Sequence, residues 1–178
     1  MPLRVRETSD DFDPATTVRG DAERKLGQVR PGDWGGLSVG LGEDFGAERA
    51  RVLAAKVIER AGELGWDELA WDGPEPAAFV EGAVLASYRY DAYKSEPGDG
   101  GPGVLVVRSG ADAAVVAEAQ NAARDLVNAP ANALTPTKLA AHARELAAEL
   151  GLECEVLGRE QIRYAGMGAF AAVAQGSD

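Results

Sequence analysis

The chain has 178 residues, enough for one domain or one domain and part of another. Hydrophobic residues make up 46% and charged residues 26%, which excludes disorder, and the single cysteine, Cys154, excludes a disulfide scaffold. Acids outnumber bases 29 to 18, so phosphate backbones and anionic membranes are repelled, and no basic run exceeds Arg24-Lys25.

The same residues set the expected compartment. One cysteine fits a reducing environment. Met1 to Arg6 lacks the apolar stretch of a secretory signal, and no window approaches 18 apolar residues. The expectation is a cytoplasmic protein with no nucleic-acid or membrane partner.

Leu3 to Arg6 alternates and reads as a short edge strand. Thr8 to Pro31 is polar and rich in turn residues, and is expected to be mostly loop. Leu37 to Leu41 is an apolar run between glycines, a buried strand. Ala47 to Leu64 is the clearest helix: Ala50, Leu53, Ala54, Val57, Ile58, Ala61 and Leu64 recur at three- and four-residue spacing, and Gly65 stops it. Glu68 to Trp71 reads as a strand. Pro76 to Tyr90 reads as a second helix, apolar nearly all round.

Gly98 to Gly103 is a glycine loop, followed by a buried strand over Val104 to Val107. Asp112 to Val127 is expected to be a third helix with Asp112 as N-cap and a packing stripe of Val115, Val116, Ala119, Ala122, Ala123 and Leu126. Asn128 to Asn132 breaks the pattern. Thr135-Pro136 opens a fourth helix, which runs to Leu150 and stops at Gly151. Glu153 to Leu157 and Ala169 to Ala174 read as strands around a short helix, Arg159 to Ala165.

Alternating strands and helices argue an α/β layered fold with a largely parallel sheet, in two runs on either side of the third helix. The second run holds only two expected strands, too few for a stable sheet, so the chain reads as ending inside its second domain.

Candidate chemistry is sparse. Gly98-Asp99-Gly100-Gly101-Pro102-Gly103 spells a dinucleotide fingerprint, but it follows a helix and precedes a strand, the reverse of the required context. Gly40 to Gly46 runs from a strand into a helix, but Glu43 and Asp44 put negative charge where a phosphate would sit. His142 is the only histidine and has no second ligand nearby in sequence. Cys154, in its expected strand, reads as a buried, inert thiol. Asp10-Asp11-Phe12-Asp13 reads as a solvated loop. Tyr88, Tyr90, Tyr93 and Lys94 read as one helix's core edge and its exit. No catalytic, metal or cofactor-binding residue is assigned.

Three stretches resemble the M17 family of leucyl (cytosol) aminopeptidases. Glu81 to Ser95 is similar to a helix late in that family's N-terminal domain. Ala123-Arg124-Asp125-Leu126-Val127-Asn128-Ala129-Pro130-Ala131-Asn132-Ala133-Leu134-Thr135-Pro136 is similar to the junction that opens its catalytic domain, and Gly166 to Ser177 to a segment shortly after. The resemblance implies a macro-like N-terminal α/β domain over residues 1–110, a linking helix and junction over 111–132, and a truncated α/β metallopeptidase domain over 133–178. It also implies removal of N-terminal residues from peptides with two divalent metals, zinc or manganese. The family's metal ligands and its catalytic lysine and arginine lie in later motifs, a lysine followed by a T-F-D-S-G-G run and an N-x-D-A-E-G-R run, which this sequence does not contain. The chain alone is therefore expected to be inactive and to bind no metal through its own residues. The partners implied are a homo-oligomer (hexamer) or a second polypeptide completing the catalytic domain. The alternatives are a macro-like module binding a nucleotide or ADP-ribose-like ligand at Gly40 to Gly46, and a structural or assembly subunit.

Overall fold

A computed structural model describes residues 2–33, 35–96 and 101–176. It divides into two units, residues 1–128 and 129–178. Gly98 to Gly100 of the glycine loop lie outside the described residues.

The first unit is built on six strands: β1 (Arg4–Glu7), β2 (Thr17–Asp21), β3 (Val29–Pro31), β4 (Leu37–Gly40), β5 (Glu68–Asp72) and β6 (Val104–Val107). Their order is β1-β6-β5-β2-β4-β3, all parallel except the β3–β4 pair. Helices α1 (Ala47–Glu63) and α2 (Pro76–Ala86) pack on each other and on one face of the sheet. Alternation along the strands directs Val18, Leu37, Val39, Leu69, Trp71, Leu105 and Val107 into that layer. They meet Leu53, Val57, Phe79, Val80 and Val84 from the helices. Trp71 and Phe79 are fully buried and stack with ring centroids 4.0 Å apart.

The opposite face is polar. Arg6 pairs with Glu68 at 3.0 Å and Arg19 with Asp72 at 3.3 Å, both across strands. Thr17, Ala70 and Val106 point the same way and are buried. Parallel sheets need cover on both faces. Here the connection from β1 to β2, residues 8–16, supplies part of it without a helix. Its 3₁₀ turn Pro14–Thr16 packs against β5, and Thr17 Oγ1 donates to Asp13 O at 2.5 Å.

This corrects the reading of Thr8 to Pro31 as loop. That stretch contains β2, an interior strand, and β3, the far edge. Val18 is the only large apolar residue in β2, because its other side chains face the polar layer. Gly20 accommodates Leu41, whose Cδ1 would lie 2.9 Å from a Cβ there.

The second helix also ends early, at Ala86 instead of Tyr90. Ser87 N donates to Ala83 O and Ser87 Oγ to Val84 O, closing the last turn. Beyond a 3₁₀ turn at Ala111–Ala113, α3 spans Ala114–Asn128. Asp112 sits inside that turn and does not cap the helix. The expected stripe is also displaced. Val115 and Val116 are 67% and 66% exposed, whereas Ala114 and Ala117 are buried against α2.

The second unit contains α4 (Pro136–Leu150), α5 (Arg159–Tyr164) and α6 (Gly168–Val173). Thr135 caps α4, its hydroxyl accepting from Lys138 N, and Gly151 ends it with φ of 67°. Neither expected strand forms. Glu153 to Leu157 has no regular structure, since no described strand lies beside it to complete a ladder, and Cys154 is exposed, not buried. Ala169 to Ala174 lies within α6 and the 3₁₀ turn after it; its alanines favour helix where no pairing partner is at hand. The second run of strands is therefore absent among the described residues.

Candidate functional site

The sequence points first to the turn between β4 and α1. Gly42 has φ of 70° and Asp44 φ of 52°, left-handed conformations that glycine adopts freely and aspartate tolerates. The N-cap of α1, Gly46, makes no side-chain cap, so the turn ends at a helix N-terminus. Glu48 adds a third acid to Glu43 and Asp44. The turn is also engaged from within the chain. Gly40 N donates to Gln28 O at 2.8 Å, Leu41 N to Asp21 O at 2.9 Å and Gly42 N to Arg24 O at 2.8 Å. A phosphate at this turn would find those three donors already paired.

Asp21 was not singled out by the sequence, yet it organises the region. Its carboxylate accepts from Arg24 Nε, from Glu23 N at 3.0 Å and from Ser38 Oγ at 3.5 Å. The Arg24 hydrogen bond, foremost, holds the Asp21 carboxyl below its ordinary value, against the opposing effect of burial.

A second polar assembly joins α2 to α3. Asn121 Nδ2 donates to Val84 O at 3.0 Å, and Arg124 donates to Leu85 O at 3.1 Å and to Asn121 Oδ1 at 3.0 Å. Tyr88 donates to Asp125 Oδ1 at 2.8 Å and accepts from Asn128 Nδ2 at 2.9 Å. Burial, chiefly, raises the Tyr88 hydroxyl above its ordinary value. A signal for this assembly was present: Ala114, Ala117, Asn121, Arg124 and Asn128 follow a helical three-four spacing.

The remaining candidates stay apart. His142 is exposed on α4. In the acidic loop, Asp10 N donates to Thr8 Oγ1 and Ala15 N to Asp13 Oδ1, and the Arg108 guanidinium lies 4.0 Å from the centre of the Phe12 ring. Tyr90 and Tyr93 meet at a tilted 6.1 Å beyond the end of α2, and Lys94 pairs with Asp91 at 2.6 Å. Among the described residues no group of three or more His, Cys, Asp or Glu side chains could hold a metal ion, so these residues do not fit the two-metal centre that the resemblance implies. No described helix is long and apolar enough to cross a membrane.

Comparison with known proteins agrees with the order of the motifs. Residues 37–97 match the N-terminal domain of the cytosol aminopeptidase family, and residues 121–178 match that family's catalytic domain. A probable cytosol aminopeptidase of Synechococcus elongatus is 40% identical over 92% of this chain and 35% of its own length. One of Aquifex aeolicus is 44% identical over 56% of this chain and 22% of its own length. Among solved structures, the bottromycin maturation enzyme BotP in complex with Mn is 32% identical with a TM-score of 0.65, covering 79% of this chain and 38% of that one. A mutant of tomato leucine aminopeptidase is 26% identical with a TM-score of 0.70, covering 84% and 35%. The chain spans about a third of the length of the first curated relatives it matches. With the two family matches following one another along most of its length, the chain belongs to the cytosol aminopeptidase family, matching its N-terminal domain and the start of its catalytic domain.

Proposed function

We propose that this chain serves as the N-terminal portion of a two-metal leucyl aminopeptidase that removes N-terminal residues from peptides in the cytoplasm. The observation that carries this reading is the succession of the two family matches, 37–97 and then 121–178. In this reading residues 1–110 form a macro-like α/β domain, 111–132 the linking helix and junction, and 133–178 the opening of the metallopeptidase domain. The two metals, zinc or manganese, are held by residues other than those described here, since these provide no ligand cluster. The complete enzyme works as a homo-oligomer, a hexamer, or with a second polypeptide that supplies the rest of the catalytic domain. The exposed apolar residues of the second unit, among them Leu150, Phe170 and Val173, support a requirement for further protein surface.

The test is hydrolysis of leucine p-nitroanilide by the 178-residue chain with added Mn²⁺ or Zn²⁺. No turnover is expected. Metal-dependent turnover from a sample whose intact mass shows this chain alone would overturn the reading.

A further inference from the structure

Helix α3 turns its polar side inward and its apolar side outward. Past Ala114 and Ala117, Asn121 and Arg124 bond to carbonyls of α2, and Asp125 and Asn128 hold Tyr88 just beyond it. On the other side Val115, Val116, Ala119, Ala122, Ala123 and Val127 all lie exposed, Val127 at 83%. At about 3.6 residues per turn these six cover an arc of roughly 140°. Leu126 falls within the same arc, and Glu118 and Gln120 border it without entering it. An apolar stripe this wide is the mark of a helix face turned to a protein interior.

The hydrogen bonds fix which face is left over. Rotating α3 to bury the valines would take Asn121 Nδ2 from Val84 O and Arg124 Nη1 from Leu85 O. The stripe is uncharged, although charged residues make up 26% of the chain. Permanent interfaces are apolar in this way and resemble a domain core cut in half, whereas transient ones are more polar. The family matches point to the occupant. All of α3 belongs to the first unit, residues 1–128, yet the catalytic-domain match starts at residue 121, two turns before the helix ends. Those two turns therefore carry a face for each domain: Asn121, Arg124 and Asn128 toward α2 and Tyr88, and Ala122, Ala123 and Val127 away from them. The first curated relatives carry about two residues beyond the matched region for each one within it.

We propose that the outward stripe of α3 is the docking face for the part of the catalytic domain that these 178 residues do not contain, a proposal that rests on the peptidase reading and deepens it. The helix is a wall shared by two domains, locked to one by directional hydrogen bonds and to the other by apolar packing.

Thiol labelling tests it. Val116→Cys, Ala123→Cys and Val127→Cys are made singly in the 178-residue chain. They are also made in a chimera in which this chain replaces the matching part of the Synechococcus elongatus relative. Glu59→Cys, exposed on α1, is the control. Maleimide labelling is followed by peptide mass. In the 178-residue chain all four introduced thiols react readily. In the chimera the three on the stripe react about tenfold more slowly, because labelling then waits on local opening, and the control is unchanged. Stripe thiols that stay as reactive in the folded chimera as in the chain alone would overturn the proposal; hydrolysis of leucine p-nitroanilide with Mn²⁺ by that chimera would then show that the peptidase reading survives. Protection in a chimera without turnover upholds the docking face and counts against that reading. Protection that appears in the 178-residue chain as its concentration rises assigns the stripe to a second copy and overturns the proposal. If the chimera does not fold, the same substitutions at the aligned positions of the relative itself decide: protection against the control supports the docking face, and equal reactivity overturns it.

Discussion

The guanidinium carbon of Arg124 lies 3.8 Å from the centre of the Tyr88 ring. From there the group reaches the Leu85 carbonyl, one of the last of α2. A cation beside a helix C-terminus is favourable, and so is a cation over an aromatic face. The later turns of α3 are thus held by polar groups, after only two buried alanines at its start, Ala114 and Ala117.

Arg124→Ala should loosen α3 without melting the sheet. It leaves the Leu85 carbonyl short of a partner, a cost of about 1–2 kcal/mol. Hydrogen exchange along 118–128 should quicken while β5 and β6 keep their protection. Arg124→Lys should restore only part of the loss: both bonds, to Leu85 O and Asn121 Oδ1, leave the one nitrogen Nη1, but an ammonium loses the planar stacking of the guanidinium on the Tyr88 ring. An Arg124→Lys variant that matches the unaltered chain would mean that charge alone holds the helix.

Asp21 gives a pH dependence with a definite sign. Its carboxyl is held below the ordinary value of 3.8 in the folded chain, chiefly by Arg24. A depressed folded value contributes stability above the unfolded value and loses it as pH falls through the folded one. Urea midpoints of the unaltered chain and Asp21→Asn should therefore differ at neutral pH and converge as pH drops below 3.8. A gap that persists or widens in acid would contradict this assignment.

Phe79→Ala should be among the most damaging single changes. Phe79 is fully buried and stacked on Trp71 at 4.0 Å, so its loss opens a cavity between the sheet and α2. The expected cost is about 3–5 kcal/mol, read from urea denaturation followed by Trp fluorescence. Phe79→Leu should recover more than half.

The second unit should promote self-association of the isolated chain. Leu139 and Leu146 are each 46% exposed, Leu150 61% and Val173 86%. Apolar surface of this kind is seldom left open on a monomer. Light scattering should show mass rising with concentration, and Leu150→Glu with Val173→Glu should reduce it. A mass that stays at the monomer value at all concentrations would count against the prediction.

Much of this fold is legible where burial is one-sided and periodic. Helix α1 declares itself through Leu53, Val57 and Ile58 at helical spacing. The limits of α4 follow from Thr135 and Gly151, and the apolar runs of β4, β5 and β6 could hardly be anything but strands. β2 is hidden because an interior strand with one polar face looks like a turn: Thr17, Arg19 and Asp21 serve that face and leave Val18 alone to mark the core. The docking stripe of α3 is hidden for another reason. Asn121 and Arg124 bond to carbonyls of α2, acceptors that every sequence possesses and none advertises. Near the end of the chain, Val156, Phe170 and Val173 carry strand-forming character, but a strand needs a neighbour, and no described strand lies beside these segments.

The pairing of β1 with β6 also bears on how the protein is made. Arg4 lies opposite Val104, so a ribosome must add about 100 residues before the first strand can meet its partner. At roughly 5–20 residues per second that is a wait of about 5–20 seconds. Meanwhile β2, β4 and β5 can assemble with α1 and α2, leaving the edge they present to β6 open. The waiting strand is short, and Arg4, Arg6 and Glu7 flank its single apolar residue, Val5. Charges so placed discourage premature pairing with neighbouring nascent chains. The same Arg6 that pairs with Glu68 in the finished sheet thus protects the strand during synthesis.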